Sequence, residues 1–357
     1  MFMLDPRTSS DDASPASERP AVVGHTSVRA ALRNHARYSS DLQGDRDVRT
    51  YKQLPLEVDP PDHGLFRAVL TPIFSAERVQ SLAPALRAVA AQLLDELVPA
   101  SRCEVVRQLS LEMVVRCLGV VLGRPQDVDE WRSWGPDVWI STPHGRSGEH
   151  LQRYLDATFA VVAAHPGDDA FSTIDRATID GRPLTYTEKC GLANIILAGG
   201  RDTVVTLISG FMWHLASTPA DYDYLAADRS RITRAMEEMV RFLSPLPAME
   251  RVDTDVSINP PAYTWIAFAT ANHDPLIFDA PEQIRLDRHP NPHMGFGGGP
   301  HACIGNLVAK AETRALLEEL LDRGLRWKVL EDAEVEKIDI FNAATATRFR
   351  RLPIAFT

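Results

Sequence analysis

Cys303 is the residue around which chemistry is most readily organised in this sequence. It ends the run Phe296-Gly297-Gly298-Gly299-Pro300-His301-Ala302-Cys303, continues into Ile304-Gly305, and opens a stretch with helical apolar periodicity. Glycines let the backbone approach a flat ligand closely and leave amide groups free to donate to sulfur, while a helix N-terminus favours negative charge, so the loop suits a thiolate. Two other fates stay open on this loop alone. A lone cysteine commonly packs as a small hydrophobe, and His289, His293 and His301 lie near enough in sequence to offer zinc ligands beside Cys303.

Other residue pairs have spacings that put them on one helix face. Glu238 and Arg241 are three apart and His63 and Arg67 four apart, so each pair can act together, or can be an ordinary solvated pair. In Gly199-Gly200-Arg201-Asp202-Thr203 the two glycines fall one turn before Thr203, which leaves a gap without side chains beside the hydroxyl. Arg201 is about 200° around the helix from Thr203 and is expected to point the other way. The plain alternative is a glycine-weakened helix with a surface Asp.

The elements that must position these residues are mainly helical. Helices are expected over about 27–34, 62–70, 76–97 and 103–122, then, after a piece containing Trp131, Trp134 and Trp139, over 149–164. Pro166-Gly167-Asp168-Asp169 breaks the chain. A long helix should start at a capping-box-like Thr185-Tyr186-Thr187-Glu188 and reach about 216, interrupted by Gly199-Gly200. Another spans about 229–243 and stops before Ser244-Pro245. Strands are expected near 256–258, 263–268, 325–329 and the C-terminus. Residues 1–21 read as a Ser/Asp/Pro-rich disordered tail and 22–357 as a single domain.

Composition narrows the function classes. Against 38 Lys and Arg stand 48 Asp and Glu, a net charge of −10, which disfavours nucleic acid and anionic membranes as partners. There is no secretory signal pattern and no uninterrupted apolar run of ~18 residues, so no membrane attachment is expected. Cys103, Cys117, Cys190 and Cys303 are widely separated, which suits reduced thiols in the cytoplasm.

Taken together, the motifs resemble the cytochrome P450 family. The cysteine loop is similar to its haem-binding signature, Phe-x-x-Gly-x-x-x-Cys-x-Gly, at every defined position, and Glu238-Met239-Val240-Arg241 to its Glu-x-x-Arg pair. Gly199 to Thr203 resembles the oxygen-activating segment, and His63 to Arg67, after Asp59-Pro60-Pro61, the His-x-x-x-Arg helix. Ala271-Asn272-His273-Asp274-Pro275 resembles an Ala-Asn-Arg-Asp-Pro segment, with His273 in place of arginine. The resemblance runs from about Val22 to the C-terminus and implies a mainly α fold with small β-sheets, shortened at the N-terminus.

It further implies haem b, with Cys303 as axial iron ligand and Phe296, Gly297, His301 and Gly305 around it. His63, Arg67, Arg251 and His293 would contact the haem propionates. Asp202 and Thr203 would deliver protons during oxygen activation, and Glu238 with Arg241, joined by a later arginine, would lock the region leading to the cysteine loop. Gly199, Val204, Leu246, Ala248 and Met249, with the loop near 343–347, are the candidate substrate contacts. The implied activity is monooxygenation of a small organic substrate by dioxygen, in specialised metabolism, with electrons from a separate ferredoxin or flavodoxin and its reductase. Oxidative coupling or cyclisation is the alternative, and a non-catalytic haem- or zinc-binding protein a remoter one. Segments 38–60 and 129–164 look compressed, which predicts an unusually open substrate pocket.

Overall fold

Helices dominate the computed structural model, which describes residues 20–41, 51–134, 149–255 and 262–357. The Ala76–Leu97 helix begins where Ser75 Oγ accepts the Arg78 N–H, and it packs along the Asn306–Asp322 helix that follows the cysteine loop. The expected capping box is present: Thr185 and Glu188 exchange side-chain and backbone hydrogen bonds at the start of Tyr186–Gly199. That helix stops at Gly199, and a second, Asp202–Ser217, resumes after Gly200 and Arg201, so the interruption expected at the glycines is a true break. Val204, Leu207, Phe211 and Met212 of the second piece are almost wholly buried, each worth roughly 1.5–3 kcal/mol on leaving water.

Tyr186–Ser217 is also long and apolar enough to cross a membrane, a length and hydropathy the expectation of no apolar run did not foresee. Over half of its most apolar window is buried inside the protein, as suits a central core helix.

Among the described residues four small sheets complete the fold. The largest orders the strands Ala21–Val22, Ala262–Ile266, Met249–Asp253 and Tyr38–Ser39, with the first pair parallel and Arg251 opposite Thr264. Trp327–Val329 and Arg102–Glu104 flank Pro353–Phe356, and Glu334–Ile340 forms a hairpin with Ala344–Arg351. The last two short strands, Thr178–Ile179 and Arg182–Pro183, pair with each other.

Several expectations need adjustment. Ala21 pairs with Trp265, so the ordered chain reaches at least to Pro20 rather than starting at Val22. The helix expected over 103–122 opens as a strand and then a wide π-type turn, Val105–Leu111, before α-helix from Glu112. There Ser110 Oγ lies 3.0 Å from Ser209 Oγ of the central helix, a buried polar contact that hydrophobic periodicity does not announce. Met249–Asp253 is a strand that the reading of 248–249 as pocket residues passed over, and the strand expected to 268 gives way to a short helix, Phe268–Asn272. The strand expected at 256–258 and most of the N-terminal tail lie outside the described residues.

Candidate active site

The cysteine loop is shaped by its own backbone. Cys303 N–H donates to Phe296 O at 2.9 Å and Ala302 N–H to Gly299 O at 3.2 Å. Gly297 and Gly299 have φ of 67° and 64°, the left-handed region that glycine occupies without strain. At Gly299 the need is also steric: a Cβ would sit 2.1 Å from the Leu32 carbonyl oxygen, just past the His25–Ala31 helix. The chain therefore packs flat against that helix end and turns Cys303 to a cavity it lines. Burial pushes the Cys303 thiol up, while N–H groups of Gly305 and Asn306 and the charges of Arg67 and Lys310 pull it down. A cation bound at the sulfur would favour the thiolate further.

The cavity encloses about 1560 Å³ of atom-free space, part of it open to solvent. Phe296, Gly297, His301, Cys303 and Gly305 form one wall, and His63, Arg67 and Arg251 join them. The His63 and His301 rings meet edge to face at 4.3 Å, and His301 Nε2 lies 3.0 Å from Ser40 Oγ. Burial, then the nearby Arg251, lowers His301 to about 3; burial, then Arg67, lowers His63. Arg251 is 5% exposed and is lowered to about 10 by burial. His63 Nε2 is buried without a hydrogen-bond partner. Among the described residues neither Arg67 nor Arg251 forms an ion pair with a carboxylate. Such a cluster of donors facing a cavity is built for an anionic ligand, and the two carboxylates of haem, above a free cysteine, fit it.

A second wall comes from the broken central helix: Gly199, Gly200, Thr203, Val204 and Leu207. A Cβ on Gly199 would meet nothing within 4 Å, so the expected gap beside Thr203 exists. Thr203 Oγ1 donates only a long 3.4 Å bond to Gly199 O. Arg201 is buried and turned away, its Nη2 donating to Trp134 O at 2.7 Å.

Leu246 and Met249 line the cavity as expected, whereas Asp202 and Ala248 do not. Residues 343–347 are also absent from it, because most of them belong to a hairpin strand. His293 is a further correction. Its Nε2 donates to Glu237 Oε2 at 2.9 Å and its Nδ1 accepts the Gly295 N–H, so both ring nitrogens are used away from the cavity. Among the described residues no group of three His, Cys, Asp or Glu side chains could hold a metal, which removes the zinc alternative.

Glu238 and Arg241 are fully buried, with N–O distances of 2.8 and 2.9 Å, and Arg288 Nε joins at 2.9 Å as the third member. Arg241 also donates to the carbonyls of Asn272, Pro281 and Gln283, and Asn272 Oδ1 accepts the Met294 N–H. The cluster thus fixes the chain leading into the cysteine loop. His273, where the resembling segment has arginine, is 3% exposed, its Nδ1 faces Ala269 O, and burial lowers its pKa. Sequence reading missed Leu56, Ile195, Phe268 and Glu312 on the cavity wall. For Glu312 a signal existed, an acid at the spacing of Gly305, Val308 and Ala309.

Comparison with known proteins agrees with this geometry. The family model for cytochrome P450 matches residues 233–350. Steroid C26-monooxygenase of Mycobacterium tuberculosis is 28% identical over 335 residues, 89% of this chain and 90% of that protein. Probable cytochrome P450 127A1 of Sinorhizobium fredii is 31% identical over 287 residues, 78% of this chain and 69% of that one. A solved structure of a carbohydrate active P450 superposes with a TM-score of 0.83 at 30% identity, covering 94% of this chain and 91% of its own.

Proposed function

Since the chain belongs to the cytochrome P450 family of haem-thiolate monooxygenases, we propose that it uses haem b to place an oxygen atom from dioxygen on a small, largely apolar molecule. The observation that carries this reading is that one cavity gathers Cys303, the donors His63, Arg67 and Arg251, and the glycine gap beside Thr203. Bound haem supplies dioxygen binding and the O–O cleavage that a thiolate ligand favours.

The chain's own residues do the rest. Cys303 presents sulfur, with N–H groups of Gly305 and Asn306 stabilising its negative charge. His63, Arg67, Arg251 and His301 hold and orient two carboxylates. Ile195, Val204 and Leu246 exclude water and seat the substrate. The Thr203 hydroxyl holds a proton at Oγ1 and, being tied only by a 3.4 Å contact, can rotate to donate into the cavity. Asp202 lies in the same turn, off the wall.

Two electrons per turnover come from a separate ferredoxin or flavodoxin with its reductase. The four scattered cysteines support this, since they offer no iron–sulfur cluster. The apolar lining, and the steroid named for one relative, favour a lipophilic substrate of specialised metabolism. Cavity residues drawn from Leu32 to Glu312, with Pro20 and Ala21 held against Trp265, support a single domain that starts by Pro20 and runs to 357, and unpaired cysteines support the cytoplasm.

The test is spectroscopic. Protein supplied with haem, reduced and treated with carbon monoxide is expected to give the red-shifted Soret band of a thiolate complex, and Cys303→Ser to lose it. Colourless protein, or a carbon monoxide complex without that shift, overturns the reading. A product heavier by one oxygen then supports hydroxylation, and loss of two hydrogens without oxygen supports coupling.

A further inference from the structure

We propose that Arg201 is a positioning residue: its side chain, held by the Trp134 carbonyl, keeps the central helix broken at Gly200 and sets which face of the second piece meets the cavity. The break needs a cause. Gly200 has φ −93° and ψ 4°, and Arg201 φ −106° and ψ −78°, both well away from the roughly −63° and −42° of a helix. Glycine weakens a helix, but arginine is among the residues that favour one. Packing does not demand glycine at 200 either: a Cβ there would meet Ile196 O at 3.6 Å and Leu118 Cδ1 at 3.7 Å, both ordinary contacts. The residues of the break would by themselves let the helix run on, so something outside it holds Arg201 away.

Trp134 supplies the hold. Arg201 is 8% exposed, and its Nη2 donates to Trp134 O at 2.7 Å, a charge-assisted bond between residues 67 apart in sequence. The acceptor is itself fixed. Trp134 follows the Val128–Ser133 helix and is buried; its Nε1 donates to Glu130 Oε1 at 3.0 Å, and its ring meets Tyr154 edge to face at 5.1 Å and His150 at 6.0 Å. Tyr154 OH in turn donates to Asp127 Oδ2 at 2.8 Å. A long side chain that gives up its freedom for a buried bond to so rigid an acceptor constrains its own backbone. Arg201 O also starts the second helix, accepting the Val205 N–H at 3.1 Å.

The tie matters because of what stands on either side of it. Gly199 and Gly200 before it, and Thr203 and Val204 after it, line the cavity with Cys303, whereas Asp202 does not. Successive helical residues turn by about 100°, so a shift of one residue in the second helix would carry Thr203 off the wall or bring the Asp202 carboxylate onto it. Arg201, reaching outward to Trp134, fixes that phase. The consequence for turnover rests on the monooxygenase reading: with the break held open, the gap beside Thr203 is shaped before any ligand enters it.

The experiment compares haem-loaded wild type with Arg201→Leu, Arg201→Lys and Gly200→Ala. Hydrogen exchange over peptides containing 199–205 reads the break, because amides of a continuous helix are protected. Arg201→Leu is expected to slow exchange there at least about tenfold, the reverse of what a merely destabilising change does. Arg201→Lys, which keeps the charge, should fall between it and wild type, and Gly200→Ala should stay close to wild type. The thiolate carbon monoxide spectrum should survive in Arg201→Leu, while carbon monoxide recombines more slowly after a light flash because the gap it enters has narrowed. Exchange that is unchanged or faster in Arg201→Leu overturns the proposal, as does recombination at the wild-type rate. Equal slowing in Gly200→Ala overturns it too, since glycine content rather than the tie would then set the break. Should Arg201→Leu fail to fold, Arg201→Lys decides: exchange slower than wild type supports the tie, and exchange no slower overturns it. A wild-type protein lacking the thiolate spectrum sinks the haem reading instead, and the exchange comparison still decides whether Arg201 holds the break.

Discussion

Thr203 shows how much depends on one hydroxyl. Its bond to Gly199 O is too long to hold it firmly, and the side-chain-free gap next to it gives its proton somewhere to go. Thr203→Ala removes the hydroxyl but not the cavity or the thiolate. It is therefore expected to leave haem content and the carbon monoxide spectrum intact while lowering coupled product formation on the order of a hundredfold, the low end for a positioned proton-transfer group. The balance between dioxygen consumed, peroxide released and product formed measures this; unchanged coupling would remove Thr203 from proton delivery. Arg201 points away to Trp134 O as expected, although it lies in the break between the two helices rather than on a continuous one.

At the scale of elements, Glu237 joins three of them. Sitting on the Ile232–Leu243 helix, it accepts His293 Nε2 at 2.9 Å from the approach to the cysteine loop and Lys310 Nζ at 2.6 Å from the helix beyond it. Burial would raise its carboxyl, but His293 and Lys310 outweigh that and hold it at about 2. A depressed folded-state pKa stabilises fully above the ordinary carboxylate range, and that contribution is lost as pH falls from about 4.5 toward about 2. Glu237→Gln should thus cost on the order of 2 kcal/mol at pH 7 and progressively less toward pH 2, as read by urea unfolding across that range. A cost independent of pH would mean that packing, not charge, ties the elements.

These ties also explain what sequence could and could not foretell. The 76–97 and 149–164 helices were legible to the residue, because apolar periodicity and caps are local. So were Cys303 and the Glu238–Arg241 pair, because short motifs fix their faces. Three things depended on partners distant in sequence. His293 was drawn off by Glu237, the 105–111 turn widened where Ser110 meets Ser209, and Met249–Asp253 became a strand through pairing with Ala262–Ile266 on one side and Tyr38–Ser39 on the other.

For the whole molecule, the cavity is where two hydrophobic cores meet. The larger core holds most helices, with Phe296, Ile304 and Ala309 packed on it; the smaller gathers Val28, Met249, Ile266, Phe268 and Met294, with Leu32, Leu56 and Leu246 against it. Residues from both cores line the one cavity, and the chain concentrates cationic donors there despite its net charge of −10. A flat apolar ligand with two carboxylates would therefore cover both cores at once and neutralise Arg67 and Arg251, neither of which forms an ion pair with a carboxylate among the described residues. Anything that binds only the folded state adds stability in proportion to the logarithm of its excess over Kd, about 4 kcal/mol at a thousandfold excess. Haem should therefore raise the unfolding midpoint, and hydrogen exchange should slow in the Met249–Asp253 and Ala262–Ile266 strands of the smaller core as well as in the central helix. Arg251→Leu should shrink that gain while leaving the haem-free protein no less stable, since it removes a buried charge that has no carboxylate partner among the described residues. Protection confined to the helices would mean the two cores fold independently and that the ligand belongs to only one of them.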